Sequence, residues 1–201
     1  MTAAPPLHIL ILAAGASSRM RGRDKLTEDV GGQPLLRKIV EAALATGCPV
    51  TVALPPDRPA RAAAIAGLAA RTLVVPRPQD GMAASLVAGL QQVPQAAAVM
   101  LLLADLPEME AADLACMVAA HAQTPDLILR ATSDQGVPGH PVVFPARLRA
   151  ELLALTGDDG ARTVVQAHKD SLRLIALPGS HATTDLDTPE AWAAWRDAQP
   201  G

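Results

Sequence analysis

Short, uninterrupted aliphatic runs recur along this chain, and alanine-rich stretches of helical length separate most of them. The runs cover residues 9–12, 50–54, 73–75, 98–103, 127–129 and 172–177; the helical stretches cover 34–46, 59–70, 82–92 and 110–123. Strands that alternate with helices predict a mostly parallel sheet with helices on both faces. The run Val99-Met100-Leu101-Leu102-Leu103 has no polar position at all, as a strand buried on both faces requires. With 201 residues the expectation is a single-domain, Rossmann-like α/β fold spanning 1–201. The segment Gly136-Val137-Pro138-Gly139-His140-Pro141-Val142-Val143-Phe144 breaks the alternation and predicts a small antiparallel excursion near residues 136–145. A last helix is expected after Thr188, an N-cap residue followed by Pro189 at the first helical position and Glu190 in the first turn.

Ligands of open α/β sheets collect at the carboxyl ends of strands, where strand order reverses. Two of the most apolar runs end in polar chemistry. Ile9-Leu10-Ile11-Leu12 stops at Ala13-Ala14-Gly15, and Leu103 is followed by Asp105-Leu106-Pro107. Small residues let a backbone turn tightly, with Gly15 free to take positive φ, and successive N–H groups in such a turn form an anion-binding concavity. Ser17 and Ser18 follow, and then Arg19, Arg21, Arg23 and Lys25 supply positive charge suited to phosphate oxygens. The same residues would also serve as a surface loop with a solvated basic face. Asp105 fits either a magnesium ligand or a strand-end turn closed by Pro107.

Several phosphate and nucleophile motifs are absent. Gly15 and Gly22 do not complete G-x-x-x-x-G-K-[ST], and Gly15 opens no G-x-G-x-x-G, so neither a P-loop ATPase nor a dinucleotide-binding oxidoreductase is supported. Gly15-Ala16-Ser17-Ser18-Arg19 lacks the second glycine of a nucleophile elbow. The net charge of −3 and pI near 5.9 offer no broad basic patch for nucleic acid. No apolar run approaches a membrane span, and the first residues lack a signal-peptide pattern, so a cytoplasmic location is expected. Cys48 and Cys116 are distant and form no zinc or redox motif; both read as reduced, structural residues. Only Phe144, Trp192 and Trp195 are aromatic, which predicts an aliphatic core.

Leu12-Ala13-Ala14-Gly15-Ala16-Ser17-Ser18-Arg19-Met20 followed by Lys25 resembles the opening motif of the MobA-like nucleotidyltransferases. Later segments are similar to the molybdenum cofactor cytidylyltransferase branch. They are Gly81-Met82-Ala83-Ala84-Ser85-Leu86, Asp105-Leu106-Pro107, Pro138-Gly139-His140-Pro141, Gly157-Asp158-Asp159-Gly160-Ala161-Arg162 and Thr184-Asp185-Leu186-Asp187-Thr188-Pro189. The resemblance implies an enzyme that moves CMP from CTP to the terminal phosphate of a molybdopterin-type acceptor and releases pyrophosphate, using Mg²⁺. It further implies a molybdoenzyme that receives the finished cofactor, and no nucleic-acid or membrane partner.

Carried onto this chain, the resemblance assigns nucleotide binding to Leu12, Ala13, Ala14, Gly15, Ser17, Ser18, Gly81 and Ser85. It assigns phosphate and charge stabilisation to Arg19 and Lys25, the metal to Asp105 and Asp187 ahead of Asp185, and the acceptor to His140, Asp158 and Arg162. His8, His121, His168 and His181 read as hydrogen-bonded surface residues. CTP is expected over GTP because Ala14 stands where guanylyl-transferring relatives tend to have glycine. A GTP-using or sugar-phosphate-using relative, or a non-catalytic cofactor chaperone, are the alternatives. One departure stands out: the family usually runs Arg-Met-Gly, whereas this chain inserts Arg21 between Met20 and Gly22.

Overall fold

A computed structural model describes residues 6–157 and 160–199. Its strands are β1 (Leu7–Leu12), β2 (Asp29–Val30), β3 (Gln33–Pro34), β4 (Val50–Leu54), β5 (Arg71–Val74), β6 (Ala98–Leu103), β7 (Ile128–Thr132), β8 (Pro138–Phe144) and β9 (Leu172–Ala176). Its α-helices are α1 (Leu35–Leu44), α2 (Pro59–Ala64), α3 (Met82–Leu90), α4 (Ala111–Gln123), α5 (Arg149–Leu153), α6 (Arg162–Ala167) and α7 (Pro189–Asp197). Seven strands form one sheet in the order β5-β4-β1-β6-β8-β7-β9, and β2 and β3 form a small antiparallel hairpin beside it.

The expected α/β architecture is present. From β1 the chain winds outward through β4 and β5 and then returns to place β6 on the other side of β1, all four parallel. Strand order therefore reverses between β1 and β6. Leu12 and Leu103 are register partners there, so the loops that follow them face one another. Alternating side chains divide the core between the two sheet faces. Ile9, Ile11, Met100 and Leu102 pack with α1, α4 and Trp192, whereas Leu10, Val99 and Leu101 pack with α3, α5 and α6. Gly89 of α3 lies so close to β1 that a Cβ there would stand 2.4 Å from Leu10 Cδ1, which draws this helix against the sheet.

The antiparallel segment falls within the expected range but is more central than the sequence suggests. β8 runs antiparallel to both β6 and β7 and sits between them inside the main sheet. The second alanine-rich helix ends at Ala64 instead of continuing to residue 70, because turns at 65–68 with Gly67 at φ 81° unwind it before β5. The last helix starts as expected, with Thr188 Oγ1 accepting from the Ala191 N–H at 3.2 Å. Two histidines differ from expectation. His8 is buried and bonds Thr51 Oγ1 at 2.9 Å across β1 and β4, and His121 is only 2 % exposed within α4. His168 meets Glu151 and His181 meets Asp113, each at 2.8 Å. Cys48 is half-buried and Cys116 is exposed, both free, so Cys116 lies at the surface and not in the core. Among the described residues no helix is long and apolar enough to cross a membrane.

Candidate active site

The two facing loops open a cleft of about 370 Å³ at the carboxyl ends of β1 and β6. Leu12, Ala13, Ala14, Gly15, Ser17 and Ser18 line one wall. Gly81 and Ser85, at the start of α3, line another, and Arg19, Lys25, Asp105 and Asp187 complete it. Residues from five separate stretches of sequence thus converge at the point where strand order reverses.

Charge is concentrated at the mouth of this cleft. Lys25 Nζ donates to Asp105 Oδ2 at 2.5 Å and to Asp187 Oδ1 at 2.7 Å, while Arg19 Nη2 meets Asp187 Oδ2 at 2.7 Å. Burial works against the Lys25 ammonium, but the two carboxylates prevail and raise its pKa above the usual lysine value. It is therefore a permanent cation at neutral pH. Asp105 Oδ1 is buried and has no partner among the described residues, and an unpaired buried carboxylate oxygen is costly unless a ligand meets it. No group of three or more His, Cys, Asp or Glu side chains among the described residues could hold a metal. Two carboxylates suffice for Mg²⁺ when phosphate oxygens and waters complete the shell, and the Asp105 and Asp187 pair with its unpaired oxygen fits that pattern.

Of the four cations in the opening motif, only Arg19 and Lys25 line the cleft. Arg21 is turned to Glu190 on α7 at 2.8 Å, and Arg23 to Glu28 at 2.6 Å, which Arg196 also reaches at 2.7 Å. The insertion of Arg21 is absorbed by two successive left-handed residues, Arg21 at φ 51° and Gly22 at φ 88°. Gly15, by contrast, does not take the positive φ expected of it. Ser17 does, at 51°, and the open space where a Gly15 Cβ would stand shows that this glycine leaves the cleft wide on the loop side. The Ser17 hydroxyl is engaged beneath the loop: it donates to Asp24 Oδ1 at 3.3 Å and accepts from Arg61 Nη2 at 3.1 Å. Only its backbone is left for a ligand. The Ala14 methyl packs with Ala53 and Val75 behind the loop.

His140 and Arg162 lie in an adjoining cavity of about 350 Å³ that shares Met82 with the first. Its walls are mainly apolar, with Leu101, Val142, Phe144 and Val165, and its polar groups are few. The His140 ring is largely buried. Burial holds its pKa below the ordinary histidine value, so the ring is neutral at pH 7. Nδ1 has no partner among the described residues. Arg130, which sequence reading missed, donates from Nε to Gly139 O at 3.1 Å and lines the same cavity. Burial, reinforced by neighbouring Arg162, lowers its pKa.

The Pro138–His140 entry to β8 also abuts the segment leading to Asp187. The His140 N–H donates to Ala182 O at 2.9 Å, and a Cβ on Gly139 would stand 1.9 Å from that same oxygen. The His140–Pro141 peptide is cis. Asp158 lies outside the described residues.

A family model described as the MobA-like NTP transferase domain matches residues 9–172. The chain belongs to this family. Solved structures resemble it in three dimensions as well. Rv0371c from Mycobacterium tuberculosis H37Rv superposes with a TM-score of 0.83 at 26% identity, covering 97% of this chain and 100% of that one. A second structure of Rv0371c, a complex with manganese, gives 0.80 at 24%, covering 96% and 100%. The nucleotidyl transferase Mth528 from Methanothermobacter thermautotrophicus gives 0.76 at 21%, covering 96% of each chain. The fold is shared as well with CMP:2-keto-3-deoxy-manno-octonic acid synthetase, solved with CTP, at TM-score 0.74 and 14% identity over 96% and 97% of the two chains. No curated protein sequence matches.

Proposed function

We propose that this MobA-like NTP transferase moves CMP from CTP to the terminal phosphate of a molybdopterin-type acceptor and releases pyrophosphate. The observation that carries the reading is Lys25 held between Asp105 and Asp187 at the mouth of a loop-lined cleft, beside a second, mainly apolar cavity. The first suits a polyanion with a metal; the second suits a body with apolar faces and an anionic end.

In this scheme the loop of Ala13, Ala14, Gly15, Ser17 and Ser18 receives the nucleotide, with Gly81 and Ser85 closing the opposite side. Arg19 and Lys25 meet the phosphates and counter the charge that grows on pyrophosphate as it leaves. Asp105 and Asp187 would hold Mg²⁺, which neutralises triphosphate charge when bound. A phosphate oxygen of the acceptor attacks the α-phosphorus in line; the α–β phosphoanhydride bond breaks as the new one forms. That oxygen is already anionic near neutral pH, so the transfer depends on alignment and charge balance and needs no general base. His140, Arg162 and Asp158 hold the acceptor, the neutral His140 ring by hydrogen bonding and Arg162 by charge. The product would pass to a molybdoenzyme.

The test is pyrophosphate release with Mg²⁺, run across the four nucleoside triphosphates with acceptor present and omitted. Turnover with CTP that requires acceptor is the expected result. Preference for GTP would replace the nucleotide assignment, and acceptor binding without pyrophosphate release would favour a cofactor chaperone.

A further inference from the structure

Arg61 has no exposed surface, although it sits in an alanine-rich helix beneath the cleft and does not line it. A guanidinium removed from water is tolerated only when its donors are met. Here the fork is filled. Nε and Nη2 reach the two oxygens of Asp24 at 2.8 and 2.9 Å, Nη1 reaches Ala13 O at 2.6 Å, and Nη2 also meets Ser17 Oγ. Arg58, at the N-cap of the same helix, donates from Nη2 to Ala16 O at 2.9 Å. Asp24 accepts in turn from the Leu26 N–H at 3.1 Å, one residue beyond Lys25. Burial works against its charge, but Arg61, helped by Leu26 N–H and Arg58, prevails and holds its pKa below the usual carboxylate value.

These bonds determine which way the loop backbone faces. In a trans peptide the carbonyl and the following N–H point in opposite directions. Tying the carbonyls of Ala13 and Ala16 to arginines under the loop therefore turns the N–H groups of Ala14 and Ser17 to the cleft side. Among the described residues, no acceptor within the chain takes the N–H groups of residues 14 to 17. The left-handed Ser17, an unfavourable conformation for a residue with a Cβ, is held by the same guanidinium and carboxylate.

We propose that Arg61, Arg58 and Asp24 are positioning residues that hold the loop in its anion-accepting form and fix the spacing from that loop to Lys25. The proposal rests on the nucleoside-triphosphate reading of the cleft. It assigns phosphate affinity to three side chains that touch no ligand, and it predicts that the effect is blind to the base.

The experiment compares wild type with Arg58→Ala, Arg61→Lys and Asp24→Asn, measuring dissociation constants for Mg²⁺·CTP and for inorganic tripolyphosphate with Mg²⁺. Arg58→Ala should weaken both ligands by about tenfold, and Arg61→Lys by more, because misoriented groups lose affinity steeply. The KM for CTP should rise by a similar factor, with a smaller change in kcat. Arg58 is partly exposed, so its variant keeps the fold even where the Arg61 variant does not, and thermal melts check this. Wild-type affinity for both ligands in Arg58→Ala, or a loss confined to CTP, would overturn the proposal. A wild-type protein that bound neither ligand would instead overturn the triphosphate reading on which it rests.

Discussion

The two halves of the cleft are built by different physics. On the β1 side, charged groups are bonded to one another before any ligand arrives: Lys25 to two carboxylates, Arg19 to Asp187, and Arg61 to Asp24 and the loop carbonyl. On the β8 side the walls are aliphatic and aromatic, and the His140 ring keeps an unpaired nitrogen. A triphosphate is recognised by fixed charges and backbone dipoles, which act best when organised in advance. An acceptor with a rigid ring system can be selected by shape, with a few polar contacts giving orientation.

Substitutions should therefore separate cleanly by side. The largest effect is expected for Lys25→Ala, which removes the one cation facing both carboxylates; turnover should fall by about 10²–10³-fold in a pyrophosphate-release assay. Asp105→Asn should follow, at roughly 10²-fold, and should also weaken Mn²⁺ binding measured by electron paramagnetic resonance with nucleotide present. Unchanged metal affinity in that variant would remove Asp105 from the metal site. His140→Ala should act on one side only, raising the acceptor KM by about tenfold, the cost of roughly one hydrogen bond, while the KM for CTP stays put. A matched rise in both would dissolve the division drawn here.

Acid should act on the β8 side before the β1 side. Because the folded-state pKa of Asp24 is depressed, the stability it contributes is present above its ordinary value of 3.8 and is lost as pH falls through the folded value. His140 runs the other way in charge but in the same direction in pH: its lowered pKa favours the neutral folded form, so stability drops as the unfolded chain takes up its proton below about 6.5. Melting curves between pH 7 and 3 should decline in two stages, with His140→Ala shrinking the upper one, to which the buried His8 also contributes through its lowered pKa, and Asp24→Asn shrinking the lower. The smallest effect belongs to Arg21→Ala. Its contact with Glu190 is exposed on both sides, so stability should change by less than about 0.5 kcal/mol, and denaturant midpoints should hardly move.

Much of this was legible in the residues because its determinants are local. An aliphatic run that stops at Ala13-Ala14-Gly15 announces both the strand and the loop, and Leu103 followed by Asp105 does the same on the neighbouring strand. Other features depend on which distant segments meet, and no nearby residue records that. Nothing around Arg61 distinguishes it from a solvated helix cation until Asp24 and the Ala13 carbonyl are seen beneath the loop. Arg21 and Arg23 look like partners of phosphate by composition, yet Glu190 and Glu28 claim them. The placement of β8 between β6 and β7 is equally non-local: its β-branched run marks a strand and says nothing of its neighbours. His8 and His121 are buried for the same reason, through packing that a single sequence position does not encode.

At Gly139 strand β8 rests directly on the Ala182 carbonyl, with no side chain between them. The separation of the two cavities is thus gauged by bare backbone, as a machinist sets two faces with a shim of fixed thickness. Asp187 follows five residues after that contact, on the far side of Leu186 and the Trp192 indole that donates to its carbonyl at 3.0 Å. A methyl group added at position 139 would run into the backbone carbonyl of Ala182 itself, and the displacement would pass along this short segment to a carboxylate that belongs to the other half of the cleft.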